Sequence, residues 1–258
     1  MCVKDMLLEE IKKEEYQFLR EEKNRCMMIT VLGSNAFGTM LEGRGDVDVR
    51  GIRYDKKDEL IGMSDRRHTY DDAVLGKTDT MLFNWTHYCK QVLRGNINMV
   101  EVLGNKKEDY ITDEIGEIVL NNKRVFYSKD IVKSIQRFTK ASMDDIERKI
   151  MRQDSCKIEK VWSTMAHIVR EQYVGMDLLR TGELINYRKE REELKEIKKG
   201  LYGRDIGEFK RYVEKLVLGL AEEMRKSKLR DNADYEEVNK LCMNVNMLVL
   251  GREEKVFE

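Results

Sequence analysis

Proline is absent from all 258 residues, so the turns of this chain rest on Gly, Asn and Asp. The five cysteines (Cys2, Cys26, Cys89, Cys156, Cys242) are scattered, odd in number and never spaced C-x-x-C. That spacing excludes a disulfide framework or a zinc knuckle and suits a reducing cytoplasm. No apolar run approaches the length of a membrane span, and the N-terminus reads as a charged amphipathic segment rather than a signal peptide. A soluble cytoplasmic protein with no membrane partner is expected. Net charge is missing too: 48 Lys and Arg balance 48 Asp and Glu, although charged residues make up 37% of the chain. Strong bulk attraction to nucleic acid is excluded, and any basic surface has to be local.

What is present begins between Met27 and Ile52, MMITVLGSNAFGTMLEGRGDVDVRGI. The stretch reads as a short buried strand (Met28–Leu32), a turn at Gly33-Ser34, and a short helix from about Asn35 that Ser34 can cap. A loop and a second strand, Asp46–Tyr54, follow. Alternation puts Asp46 and Asp48 on one face of that strand. Two acids so close repel unless a cation lies between them, which points to a divalent metal. Gly33 has no Cβ to keep a phosphate away, and amides at the helix start would face it. Asp79 opens a later strand (Asp79–Phe83) after a Gly-Lys-Thr turn and is the candidate third carboxylate. Phosphoryl transfer needs a triphosphate cradle, metal ligands and in-line positioning. The combination of Gly33-Ser34, eleven intervening residues and Asp46-Val47-Asp48-Val49 supplies the first two.

The remaining pattern organises the chain. An amphipathic helix is expected over Val3–Asn24, a polar loop over Asp55–Gly76 with one short strand near His68–Tyr70, and a helix over Asn84–Arg94. Gly95–Asn98 forms a turn opening a short helix, Met99–Leu103. Beyond Asp109 the helical period takes over, with apolar stripes through Ile131, Ile135 and Phe138, through Val161, Met165, Ile168 and Met176, and through Phe209, Val213, Leu216 and Leu220. Helices are expected from Tyr187 to Lys199, Ile206 to Lys226 and Tyr235 to Leu250. The fold class is α+β: a small mixed sheet with helices over 1–122, then an all-α half over 123–258 that closes over the nucleotide site.

These residues resemble the signature of the polymerase beta-type nucleotidyltransferase superfamily. More narrowly, Gly33-Ser34, Gly38-Thr39 and Asp46–Gly51 resemble the RlaP family of predicted nucleotidyltransferases associated with RNA-ligase repair operons. Further stretches are similar: Gly95–Asn98 with Val100–Leu103, Phe126–Lys129, His167–Arg170 with Leu179–Glu183, and Ser227–Leu229 with Asp234. Gly45 stands where a serine commonly precedes the first aspartate, and Ile97 and Arg230 replace prolines.

The resemblance implies transfer of an NMP from an NTP, ATP foremost, to a hydroxyl with release of pyrophosphate. It implies two Mg²⁺ or Mn²⁺ ions on Asp46, Asp48 and Asp79, and nucleotide contacts from Gly33, Ser34, Arg50, His167 and Arg170. Its acceptor stays open between an RNA end, a small molecule and a protein hydroxyl, as in toxin–antitoxin AMPylating enzymes. A non-catalytic nucleotide-binding module and a metal-dependent hydrolase are the other classes. Oligomeric state is not readable.

Several residues have bland readings beside the functional ones. Arg44 and Arg50 flank the acids and could steer triphosphate, but arginines so placed are most often ion-pair partners that fix the strand. His167 and Arg170 read either as cleft residues or as a buried histidine with a surface arginine. Glu101 reads as a spare ligand or, more simply, a cap or solvated acid, and Lys198-Lys199 as a helix terminus suited to its dipole. His68 and His87 lack metal-ligand spacing. Between Lys123 and Lys160 there are 11 Lys/Arg against 6 Asp/Glu. That excess reads more simply as solvated helix face than as a nucleic-acid track.

Overall fold

A computed structural model describes residues 3–20, 25–42, 47–63, 69–71, 78–151 and 158–253. Asp46, Arg44, Gly45 and His68 lie outside them. The strands are β1 (Cys26–Val31), β2 (Asp48–Arg53), β3 (Thr69–Asp71), β4 (Asp79–Asn84) and β5 (Ile111–Thr112), in the sheet order β3-β4-β2-β1-β5. The sheet is mixed: β2 and β4 are parallel, while the other three pairings are antiparallel. The α+β class therefore holds. The two-residue β5 is an addition, since the sequence after Asp109 reads as helix throughout.

The N-terminal segment departs from a single helix. An α-helix, α1 (Val3–Glu10), gives way to a 3₁₀ helix over Glu14–Arg20. Leu7 and Tyr16 are both buried with Val31 and Val49 against one side of the sheet. At 3.6 residues per turn they would fall on opposite faces of a continuous helix. The break lets both reach the same core.

After β1 comes α2 (Gly33–Phe37), whose N-cap is Leu32 with no side-chain cap. Ser34 is thus inside the first turn, not the cap expected of it, and its hydroxyl serves another contact. Next, α3 (Lys57–Ile61) occupies part of the segment expected to be loop, with Glu59 bonded to the Lys56 backbone N–H. Helix α4 (Trp85–Leu93) follows β4 directly, and α5 (Ile97–Val100) begins after Gly95, whose φ of 69° is the left-handed value the turn requires.

The rest is helical: α6 (Glu114–Asn121), α7 (Lys129–Met151), α8 (Ile158–Thr181), α9 (Arg191–Lys198), α10 (Ile206–Lys226) and α11 (Tyr235–Glu253). Asp113 caps α6 by accepting from the N–H groups of Ile115 and Gly116. Helix α9 starts later than the expected Tyr187, because buried Arg188 donates to the Ile185 carbonyl and pairs with Asp177 and Glu190 in an irregular link.

One apolar core runs from the sheet through Trp85, Tyr88 and Phe126 to α11. A second lies among α7, α8, α9 and α10 around Met165, Leu194 and Phe209. Buried amides tie the link to the sheet: Asn186 Nδ2 donates to the Glu101 carbonyl and to Asn105 Oδ1, and Asn105 Nδ2 donates to the Val31 carbonyl, each at 2.8 Å. No helix among the described residues is long and apolar enough to cross a membrane.

Candidate active site

Parallel pairing of β2 with β4 sets Asp48 opposite Asp79, in register at the first residue of each strand. The two carboxylates therefore share one end of the sheet. Arg50, two residues along β2, holds them together: its Nη2 lies 3.5 Å from Asp48 and 3.2 Å from Asp79. Its Nη1 donates to the backbone carbonyls of Val49 and Asp79, both at 2.9 Å. The Asp48 carboxyl hydrogen-bonds to Asp79, and with Arg50 beside it this holds the Asp79 carboxyl below the usual carboxylate range.

Gly33 faces this pair. Its φ is +63°, and a Cβ built there would lie 1.7 Å from Asp48 Oδ2. Glycine is required twice over, for its backbone angle and for the passage of Asp48 beneath it. Helix α2 is pinned at its far end by the Arg188 N–H, which donates to the Phe37 carbonyl at 3.2 Å.

The cation opposite comes from α9. Lys198 Nζ donates to Ser34 Oγ at 2.7 Å, to Thr39 Oγ1 at 3.1 Å and to the Thr39 carbonyl at 3.2 Å. Among the described residues it has no carboxylate ion pair. Burial, with Arg170 nearby, lowers its pKa to about 8 despite the attraction of Asp48. The sequence reading missed Lys198, taking it for a helix-terminal charge.

The third wall is α8. Arg170 is buried at 4% exposure, packed 3.7 Å over the Phe37 ring and paired with Glu101 and Glu171. His167 lies a turn earlier, its Nε2 2.9 Å from Glu171 Oε1 and its ring 4.7 Å from that of Phe138. The bland alternative is thus inverted: the arginine is buried and the histidine, 39% exposed, opens outward. Glu101 is not solvated: it stands at the C-cap position of α5, and its side chain is buried against Arg170. Burial raises its pKa, whereas Arg170 and His167 outweigh the burial of Glu171 and keep that carboxyl ionised. The i, i+4 spacing of His167 and Glu171 was a usable signal for this pair. Nothing local in the sequence marked Lys198, whose partners lie at the other end of the chain.

Gly33, Ser34, Thr39, Asp48, His167, Arg170 and Lys198 line one cleft of about 290 Å³. It brings together the expected nucleotide residues other than Arg50, which stands behind the acids. Asp48 and Asp79 fit a divalent cation, being adjacent hard oxygen donors in register. Among the described residues no group of three or more His, Cys, Asp or Glu is gathered as a metal set. Within the basic stretch, Lys123 and Arg124 pair with Glu183, Lys129 pairs with Asp231, and Lys149 pairs with Asp145.

No curated protein and no solved structure is similar to the chain at a significant level. The model of one family, described as the RNA repair pathway DNA polymerase beta family (RlaP), matches residues 6–244. A match over nearly the whole length, with the paired acids and the Gly33-Ser34 turn in place, establishes that the chain belongs to this family.

Proposed function

We propose that this protein transfers a nucleoside monophosphate from an NTP to a hydroxyl acceptor, with pyrophosphate as the other product. The observation that carries the proposal is the polarity of the cleft. Asp48, joined to Asp79 through Arg50, lines one side, and the half-buried ammonium of Lys198, whose hydrogen-bond partners are neutral, lies beside Ser34. A half-buried cation without a paired carboxylate is costly unless an anion arrives. A polyphosphate bridging Lys198 to metal at the acids satisfies both ends.

Asp48 and Asp79 would hold divalent magnesium or manganese, with Asp46 as the further ligand that the family pattern implies. Bound there, the metal supplies charge neutralisation at the reacting phosphate and a more acidic acceptor hydroxyl. Arg50 keeps the two carboxylates aligned. Ser34, Thr39 and Lys198 bind the terminal phosphates, fixing the α-phosphorus over the acids. Arg170, locked between Glu101 and Glu171, stacks on Phe37 and so holds α2 against the helical half. The acceptor hydroxyl attacks the α-phosphorus, the bond to the bridging oxygen breaks, and that oxygen leaves on pyrophosphate. The family's place in RNA repair supports an RNA end as acceptor.

The test is incubation with each α-labelled NTP and Mg²⁺ against separated RNA and protein pools. Label entering RNA is expected for the wild type and not for Asp48→Asn. Label in protein alone, or free monophosphate without any labelled acceptor, would replace this reading with a protein-modifying enzyme or a hydrolase.

A further inference from the structure

His167 is the cleft residue whose hydrogen-bonding character is most narrowly fixed. Its Nε2 lies 2.9 Å from Glu171 Oε1, and that same oxygen accepts from Arg170 Nη2 at 2.7 Å. Glu171 is fully buried, and against that burial the charge of Arg170 and the hydrogen bond from His167 hold its carboxyl below the usual range. An ionised carboxylate only accepts, so the hydrogen in the His167–Glu171 contact belongs to Nε2. In the neutral imidazole the other nitrogen, Nδ1, then presents a lone pair. Nδ1 has no hydrogen-bond partner among the described residues.

A lone pair repels phosphate oxygen. The donors of the cleft, Lys198 and Ser34, are gathered elsewhere, at the mouth of α2. Beside His167 the cleft is lined by Ser163 and Ala166 on the same face of α8, by Leu194 from α9, and by Arg170, whose charge is already taken up by Glu101 and Glu171. A small residue, an aliphatic side chain and one hydroxyl form a wall for a neutral, flat group. The ring of Phe138 backs the imidazole and limits its rotation.

We infer that His167 Nδ1 accepts a hydrogen bond from the nucleoside half of the bound NTP, from a ribose hydroxyl or an exocyclic amino group, and thereby selects the nucleotide. The inference rests on the nucleotide reading above and narrows the role of His167 from general nucleotide contact to nucleoside selection. Glu171 acts as a positioning residue that fixes the tautomer, and Arg170 in turn keeps Glu171 ionised.

Calorimetric titration in Ca²⁺ without any acceptor tests it by binding alone. The probes are the four NTPs, the 2′-deoxy and 3′-deoxy forms of the tightest binder, and that nucleotide without its exocyclic amino group (for ATP, purine riboside triphosphate). Loss of one group is expected to weaken wild-type binding roughly three- to tenfold, and which analogue does so separates ribose from base. His167→Phe, which keeps a ring against Phe138, is expected to bind all analogues alike, at the affinity of the weakest. A wild type that binds every analogue equally overturns the inference, as does a His167→Phe protein that keeps the wild-type ranking. Absence of binding to any NTP instead overturns the nucleotide reading itself.

Discussion

Lys198 Nζ reaches across from the helical half to within 2.7 Å of Ser34 Oγ in the turn after the first strand. The contact joins the two parts of the molecule at the place where a triphosphate would lie. Among the described residues no carboxylate forms an ion pair with the ammonium, although Asp48 lies near enough to attract it. Lys198→Met is expected to weaken NTP affinity about ten- to a hundredfold, the range for a charge-assisted hydrogen bond to phosphate. AMP affinity should change little. Titration with ATP, ADP and AMP checks both expectations.

The same lysine sets a pH dependence. Its pKa is lowered to about 8 in the free protein. Below that pH the ammonium is present and attracts phosphate. As pH rises through 8 the charge is lost, so NTP affinity should fall. Lys198→Arg, which stays charged throughout this range, should flatten the profile between pH 7 and 9. The readout is the dissociation constant of ATP measured at each pH.

Gly33 and Asp48 define a steric prediction. Gly33→Ala puts a methyl group where Asp48 Oδ2 now passes, at a positive φ. Destabilisation of about 1–3 kcal/mol follows from the backbone strain, measured by thermal unfolding. Displacement of Asp48 should reduce nucleotidyl transfer far more than the fraction of protein unfolded accounts for.

Breaking the buried network should act on stability first. Arg170→Ala strands Glu101 and Glu171, 4% and 0% exposed, and removes the guanidinium over Phe37. A loss of about 3–5 kcal/mol is expected in chemical denaturation, a large share of the ~5–15 kcal/mol typical of a domain. Arg170→Lys should recover only part of it, because a lysine has neither the bidentate fork nor the flat face.

These three sites differ in how legible they were from sequence. Gly33, Ser34, Asp48 and Asp79 lie on short strands and turns whose alternation and spacing can be counted, although β2 starts at Asp48 rather than at the expected Asp46, which is what sets Asp48 and Asp79 in register as strand starts. Helices α8 and α10 carry long apolar stripes, and both were readable to within a few residues. Lys198 was not, because its function depends on a contact with residues 34 and 39 that no local pattern encodes. The buried state of Arg170 and Glu101 was hidden for a related reason: each is a charged residue whose burial is tolerated only because the other is there. Strand β5, two residues long, is held by pairing with β1 and carries too little sequence to show a period. The break after α1 follows from where Tyr16 must pack, again a tertiary demand.

The central claim is that the paired carboxylates serve nucleotidyl transfer, and one measurement tests it most directly. Wild type, Asp48→Asn and Asp79→Asn are compared for coupled release of pyrophosphate and transfer of α-label in the presence of cellular RNA and Mg²⁺, with unfolding curves recorded for each. Wild-type protein is expected to release one pyrophosphate per label transferred, and both variants to lose transfer by at least about a thousandfold while remaining folded, as removal of a metal ligand implies. Undiminished transfer in folded Asp48→Asn or Asp79→Asn protein would contradict it.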